Sequence, residues 1–341
     1  MADSRGRRAA VTLSFNHKNV SRRLADYLTG VTFTDIAAGE SDSIGIDLYN
    51  ADMKWLNGWY PTKGDSIQGG IRYINWLPGK PEIKVYCGSY VLDSIRFSGG
   101  PMACSFGGLA MPAASSFKTR QRTKTWKNVT LEKILSEIAK RYKLGSTYNA
   151  GTIKIDSLEQ TERTDADFLA STVKDYGLKL KIYNKKLVIF DAGRLEKKDP
   201  VDTIRRRDWI DDGWDYQDEL EGTYTGAIIK YKPDKGDEIK VTVGNANEAS
   251  SKARVLYVNT KCDSRAEAIL KAKAKLNEAN EGMTKLSGTI WGRPKLAAGV
   301  TVRVAGLGKA SGKYYIDKIT TEVGDNGTTM KVEMHKCYKR F

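Results

Sequence analysis

Along the first hundred residues the apolar positions recur at every second residue. In SIGIDLYN (43–50) Ile44, Ile46 and Leu48 alternate with polar or small neighbours, and a similar period runs through AVTLSF, SIQGGIRYI and KVYCGSYVLDSIRF. Such alternation places one strand face on a core and the other in solvent. The turn PTKGD (61–65) separates two of these runs; proline pre-sets φ there and glycine accepts conformations closed to other residues. Residues 1–105 are therefore expected to form a first β-barrel domain. The stretch FSGGPMACSFGGLAMPAASS follows, and its Gly, Pro and Ser content predicts a connector over 106–117.

Between 118 and 195 the period changes to 3.6. In TLEKILSEIAKRY, Leu131, Ile134, Leu135, Ile138, Ala139 and Tyr142 fall on one helical stripe, with Thr130 as N-cap. TDADFLASTVKDYG predicts a second helix: Thr164 and Asp167 stand at capping-box spacing, Phe168, Leu169, Val173 and Tyr176 form the apolar face, and Gly177 suits the C′ position. LKLKIYNKKLVIF then reads as a hairpin turning near Asn184. A small α+β insert at 118–195 results, followed by a charged linker over 196–221. From 222 to 341 strands return in TGAIIKY, EIKVTVG, LSGTIWG, VTVRVAG, KYYIDKI and TMKVEMH. One helix at 263–281 interrupts them, opened by Ser264 and Glu267 at capping-box spacing. This third region is expected to be a second β-barrel.

The octamers GSYVLDSI (88–95) and GKYYIDKI (312–319) share Gly88 and Gly312, Tyr90 and Tyr314, Asp93 and Asp317, and Ile95 and Ile319. Each is preceded by strands and by a turn in which proline stands ahead of glycine: Pro61 with Gly64, Pro294 with Gly299. The parallel order predicts an internal duplication. The expected fold class is α+β, mainly β, with two similar β-barrel domains separated by the insert, and the eight shared residues as structural positions of the repeat. Three copies of a duplicated chain around one axis would present six similar modules.

The 341 residues suffice for several cores. Their formal charge is +15, from 56 Lys and Arg against 41 Asp and Glu. The basic residues are dispersed in short groups, Arg5/Arg7/Arg8, Lys118 to Lys127, and Arg205 to Arg207; the last runs into the acidic DWIDDGWDYQDELEG (208–222). Adjacent blocks of opposite sign point to protein–protein complementarity or a solvated linker, not to a phosphate-tracking groove, so no specific nucleic acid is expected as partner. Four scattered cysteines and two histidines supply neither a metal knuckle nor a catalytic triad, and the alternation of MKVEMHKCY puts His335 on a strand. Asp211, Asp212, Asp215, Asp218, Glu219 and Glu221 offer carboxylates, but in a charge run that suits solvent. Neither G-x-S-x-G, H-E-x-x-H nor a phosphate loop accompanies them. No enzyme activity, cofactor or metal is expected. The N-terminal MADSRGRRAA lacks an apolar core and no apolar run approaches about 20 residues. Folding in a bacterial cytoplasm without a signal peptide, and no membrane partner, follow as expectations. Trp55, Trp59 and Tyr60 in MKWLNGWYP, with Trp209 and Trp214, are candidate interface anchors; roofing a core is the alternative for each.

LSGTIWGRPKLAAGVTVRVAGLG followed by SGKYYIDKI, the D-x-x-F-L helix and hairpin of TDADFLASTVKDYGLKLKIYNKKLVIFD, and GGPMACSFGGLAMPAASSFKTRQRTKTWKNVTLEKILSEIAKRY together resemble the phage late control D family. These are baseplate hub proteins of contractile tails and of related injection machines and bacteriocins. The resemblance implies a structural protein with no catalytic residues to carry over: a homotrimer of pseudo-six-fold symmetry joining the six-fold tail tube protein to a separate trimeric spike protein. Other baseplate or wedge proteins, and the tape measure, are its further implied partners. Its implied place is the virion tail or an extracellular contractile particle, whether phage or bacteriocin. An alternative comes from NVTLEKILSEIAKRYKL, which is similar to the T-L-x-x-I-A-x-x-Y core of LysM repeats and points to cell-wall glycan. Asn128 and Val129 stand where that motif has G-D.

Overall fold

The computed structural model describes residues 6–100, 102–110, 115–231, 238–247, 249–262, 264–325 and 327–341. The first alternating runs form β1 (Arg8–Phe15), β2 (Lys18–Asn19), the one-turn α1 (Ser21–Leu24), β3 (Leu28–Ile36), β4 (Ser43–Tyr49), β5 (Ser66–Leu77), β6 (Lys80–Ser98) and β7 (Ala103–Leu109). The middle of the chain folds as α2 (Ser116–Thr119), β8 (Gln121–Thr130), α3 (Leu131–Arg141), β9 (Gly145–Asn149), β10 (Lys154–Thr164), α4 (Asp165–Asp175), β11 (Lys179–Tyr183), β12 (Lys186–Phe190) and α5 (Ala192–Glu196). There follow β13 (Thr203–Arg205), β14 (Trp209–Asp218), β15 (Gly226–Tyr231), β16 (Ile239–Gly244), β17 (Val255–Val258), α6 (Arg265–Glu281), β18 (Thr284–Trp291), β19 (Thr301–Ala305), β20 (Gly312–Gly324) and β21 (Gly327–Lys336).

The α+β, mainly β class holds, but the expected closed barrels do not appear. One thirteen-stranded open sheet runs β14-β18-β21-β20-β3-β4-β7-β6-β5-β1-β2, with β19 on β20 and β13 on β19. The halves meet where β20 (Lys318–Gly324) pairs antiparallel with β3 (Ile36–Gly30). This junction takes the β3 edge that closure within the first half would need. Both halves share one core, from Phe33, Ile46, Tyr73 and Phe106 across to Tyr314, Ile316, Val332 and Met334.

Read outward from the edge strand, the first half runs β3-β4-β7-β6-β5-β1 and the second β14-β18-β21-β20-β19-β13. The repeated octamer lies on β6 and β20. In each, the ladder slips by one residue at the shared aspartate: Asp93 is the extra residue against β7, and Asp317 against β21. Tyr90 and Tyr314 are both buried, and their hydroxyls donate to the backbone carbonyls of Cys87 (2.7 Å) and Ala310 (2.6 Å). Gly88 has φ +139°, and a Cβ there would stand 3.0 Å from the Tyr90 hydroxyl. Ile319 is buried, whereas Ile95 is half-buried.

Three expected boundaries are corrected. The 106–117 stretch is not a connector up to Leu109: β7 inserts between β4 and β6, with Phe106 in the core. Its glycines answer close packing, since a Cβ on Gly107 would meet Ser94 Oγ at 2.3 Å and one on Gly108 would meet Ile44 Cγ2 at 2.9 Å. Residues 111–114 of that stretch lie outside the described ones. The 196–221 stretch is not a linker either, because β13 and β14 belong to the large sheet, with Ile204 and Trp209 turned into its core. Finally, the chain from 222 does not simply add strands to that sheet. β16-β15-β17 form their own sheet, covered by α6 around Ala227, Ile229, Val241, Ala268, Ala272 and Leu276. Ser264 caps α6, accepting from Glu267 N at 3.2 Å; Asp263 lies outside the described residues.

The middle segment follows its apolar period. Thr130 and Thr164 cap α3 and α4 by accepting from Lys133 N and Asp167 N. Leu131, Ile134, Leu135, Ile138 and Ala139 pack against Phe168, Leu169 and Val173 in a separate core. Lys181 of β11 ties this unit to the large sheet, reaching Asp35 and Asp42, while Asp35 also accepts from Ala298 N at 2.8 Å.

Candidate assembly surfaces and comparison with known proteins

At the end of the first half, the loop between β4 and β5 folds its aromatics against the sheet. Trp55 is 7% exposed and meets Phe106 edge-on at 5.4 Å; it roofs the core and is not a free anchor. Trp59 packs edge-on against Trp55 at 5.3 Å but stays 43% exposed, and Tyr60, 55% exposed, stacks on Phe97 at 5.9 Å. Lys54 donates to the Tyr27 hydroxyl (2.7 Å) and pairs with Asp52 (2.7 Å), placing its ammonium 5.3 Å from the Trp59 ring. The hydrogen bond from Lys54 holds the Asp52 carboxyl below the usual range. Exposed Tyr49, Leu56 and Met102 lie in the neighbouring segments, with Asn50 N donating to Met102 O at 3.0 Å. An exposed aromatic end rimmed by a cation is suited to burial by a partner.

In the second half, Trp209 is a core residue at 4% exposure. Its ring fills the space above Gly288, where a Cβ would meet it at 2.7 Å. Trp214 is half-buried on β14 and donates to Asp212 (3.0 Å), which also binds Arg206 (2.8 Å). The five candidate aromatics thus do not converge on one site.

Two residues escaped the sequence reading. The matched bulges equate Gly108 with Met334. Ile44 stands opposite the first and Leu286 opposite the second. Five residues further along, Tyr49 and Trp291 occupy the same position at the ends of β4 and β18, 50% and 55% exposed. Aligning the two strands on their inward apolar residues would have found them.

A buried polar cluster lies at the other end of β21. His335 Nδ1 is 2.9 Å from both Asp317 carboxylate oxygens and Nε2 is 3.2 Å from Glu196 Oε1. Arg340 binds Glu196 and Glu281. Ligand atoms of Glu281, Asp317 and His335 lie within 4.8 Å of one another. Burial alone would lower the His335 pKa, but hydrogen bonds to Asp317 and Glu196 override it and raise it to about 9. The ring is therefore an imidazolium at neutral pH, donating from both nitrogens. This is an ion-pair network joining α5, α6, β20, β21 and the C-terminal segment.

No family model matches the chain. Over 370 aligned residues it is 24% identical to the probable baseplate hub protein of Escherichia phage 186, spanning 95% of this chain and 92% of the relative. It is 26% identical over 227 residues to the probable baseplate hub protein of Escherichia phage P2, spanning 64% of this chain and 55% of that protein. Its fold is similar to that of the 43 kDa tail protein of prophage MuSo2 from Shewanella oneidensis: TM-score 0.72, 14% identity, 96% of this chain and 98% of the other. The tail protein from Neisseria meningitidis MC58 gives TM-score 0.73 and 14% identity, over 96% and 97% of the two chains. An E. coli component of the type VI secretion system gives TM-score 0.53 and 10% identity, over 92% and 75%. Similarity in sequence to two phage baseplate hub proteins, and in fold to phage tail and type VI secretion proteins, thus bears out the resemblance of this chain to the baseplate hub proteins of contractile tails and related injection machines.

Proposed function

We propose that this protein is a structural hub of a tail baseplate or related injection machine, acting as a homotrimer that joins a six-fold tail tube to a separate trimeric spike. The observation that carries the reading is the matched strand order of the two sheet halves, each with its bulge at the shared aspartate. We read the halves as a duplicated β module, interrupted by the α+β unit at 118–195. Three chains then supply six modules around one axis, which matches a six-fold partner on one side and a three-fold partner on the other. Tyr49 and Trp291 give each module an exposed aromatic at the same place, as repeated contact with an identical partner requires.

The role is assembly and not catalysis, in keeping with the names of the relatives. Its site of action is the tail or particle baseplate; no helix among the described residues is long and apolar enough to cross a membrane. The LysM-like reading gains no support from the relatives, which carry the name of baseplate hub proteins.

The decisive test is mass by light scattering across a concentration series, alone and with the tube and spike proteins of the same particle. A trimer, alone or on adding a partner, is expected; a single copy under every condition would refute the hub. Trp59→Ala should lower stability by about 2 kcal/mol, the scale of its two aromatic pairs with Trp55 and Tyr27, yet impair co-assembly. A loss of folding with co-assembly spared would return Trp59 to the core.

A further inference from the structure

The large sheet has two open edges, on β14 and on the far end of β6, that correspond to the two edges joined at its centre. At the centre, β20 residues 318–324 pair with β3 residues 36–30. The octamer repeat carries 318–324 onto 94–100 of β6. That part of β6 pairs with β7 on one side, whereas β5 covers the other side only as far as Val91. Among the described residues, the second edge of Ser94–Ser98 has no strand on it. On the other side of the junction, Phe33 stands opposite Ile44 in the first half and Tyr216 opposite Leu286 in the second. Since Ile44 and Leu286 are equivalent, 30–36 of β3 corresponds to 213–219 of β14, and Gly30 falls on Gly213. Among the described residues β14 pairs with β18 alone and is the last strand of the sheet.

We infer that the β6 edge Ser94–Gly100 of one copy adds antiparallel to the β14 edge Gly213–Glu219 of the next copy, repeating between chains the β20–β3 junction within each chain. The register follows from the internal pairing. Phe97 comes opposite Tyr216, Ser98 opposite Asp215, and Arg96 opposite Gln217 with Asp215 and Glu219 as its diagonal neighbours.

Three properties of the edges favour a second copy as the occupant. Burial is the first: Ile95, Phe97, Trp214 and Tyr216 are half-buried at the open ends, while their counterparts Ile319, Thr321, Val31 and Phe33 are buried at 2, 6, 2 and 4% exposure. Strand addition would complete the burial and satisfy the open backbone groups. Charge is the second. Arg96 is exposed on one edge, and Asp215, Asp218 and Glu219 are exposed on the other; opposite charges and aromatic pairs across strands are the units that stabilise a sheet. Geometry is the third. The two edges differ, so the contact is head-to-tail, and such a contact closes into a ring when its rotation permits. Three chains with this contact would have three internal and three external junctions of one kind. The inference rests on the trimeric hub reading and names the surface that builds it.

The test uses the full chain carrying Ser98→Cys, mixed with the full chain carrying Asp215→Cys, under mild oxidation, with each single variant alone as control for the native cysteines. A cross-link between copies that appears only in the mixture is expected. Independently, Arg96→Glu should weaken self-association about tenfold or more, and adding Asp215→Arg with Glu219→Arg to that chain should restore it. Trimers without the cross-link and indifferent to Arg96→Glu would overturn the edge contact and leave the hub reading standing. A cross-link in assemblies that stop at two copies, or grow without closing, would support the contact and overturn the trimer. A chain that stays single with tube and spike present, and gives no cross-link, would overturn both.

Discussion

Replacing Tyr314 by alanine is expected to destabilise the protein by about 3–5 kcal/mol, the range for removing a fully buried aromatic. The side chain has no exposed surface and its hydroxyl donates to Ala310 O at 2.6 Å. It stands on β20, which carries β19 and β3 on one side and β21 on the other, so the cavity would open beneath the strand that joins the halves. Collapse around it is opposed by the β19 and β21 ladders. Tyr314→Phe separates the hydrogen bond from the packing: it should cost only about 1–2 kcal/mol, the penalty of leaving one buried carbonyl unsatisfied. Tyr90→Ala should resemble Tyr314→Ala, since Tyr90 is 3% exposed and bonded in the same manner. Denaturant unfolding followed by tryptophan fluorescence would report all three. An unchanged midpoint for Tyr314→Ala would mean that the octamer plays no part in holding the sheet together.

The second large effect is on pH dependence. His335 is 2% exposed and faces Asp317, Glu196 and, through Arg340, Glu281. Its pKa rises from 6.5 to about 9 on folding, so the native state holds a proton that the unfolded chain releases near neutrality. The resulting stability is fully present below about pH 6.5 and is lost as the pH rises through 9. At roughly 1.4 kcal/mol per pKa unit it amounts to about 3 kcal/mol. Burial pushes Glu196 up, but hydrogen bonds from His335 and Arg340 more than offset this and hold it below the usual carboxylate range. Its contribution is therefore constant across the alkaline window. The expected result is a melting temperature that falls between pH 7 and 9.5 in the native chain. His335→Gln should be less stable at pH 7 and decline less over that interval, its remaining loss beginning near pH 9, where the unfolded chain releases the thiol protons that burial retains on Cys87, Cys104 and Cys337. A parallel decline in both proteins would assign the alkaline loss to other groups.

How much of this was legible in the chain differs from element to element. The α3 and α4 caps and stripes were readable because their determinants lie within one or two turns: Thr130 reaches Lys133 N, and Thr164 reaches Asp167 N. The octamer was readable because the glycine, tyrosine and aspartate each answer a local demand, a positive φ, a short hydroxyl-to-carbonyl bond and a bulge. The 106–117 and 196–221 stretches were misread for the opposite reason. Gly107 and Gly108 make room for Ser94 and Ile44, and the carboxylates of β14 occupy a strand whose Trp209, Trp214 and Tyr216 pack against the core; both pressures come from residues distant in sequence. His335 was placed on a strand correctly, but its carboxylate partners lie 18 and 139 residues away.

The strand and helix periods, the caps, the repeated octamer and the family resemblance were all legible in the chain, because these depend on residue spacing. Long-range contacts settled that the halves join through β20 and β3 into one open sheet, that Trp55 and Trp209 are core while Trp59, Tyr49 and Trp291 are exposed, and that, among the described residues, part of β6 and the outer side of β14 carry no strand. Edge pairing and burial depend on which strands meet in space, and backbone groups can pair across any interval of sequence, so local spacing carries no record of the choice.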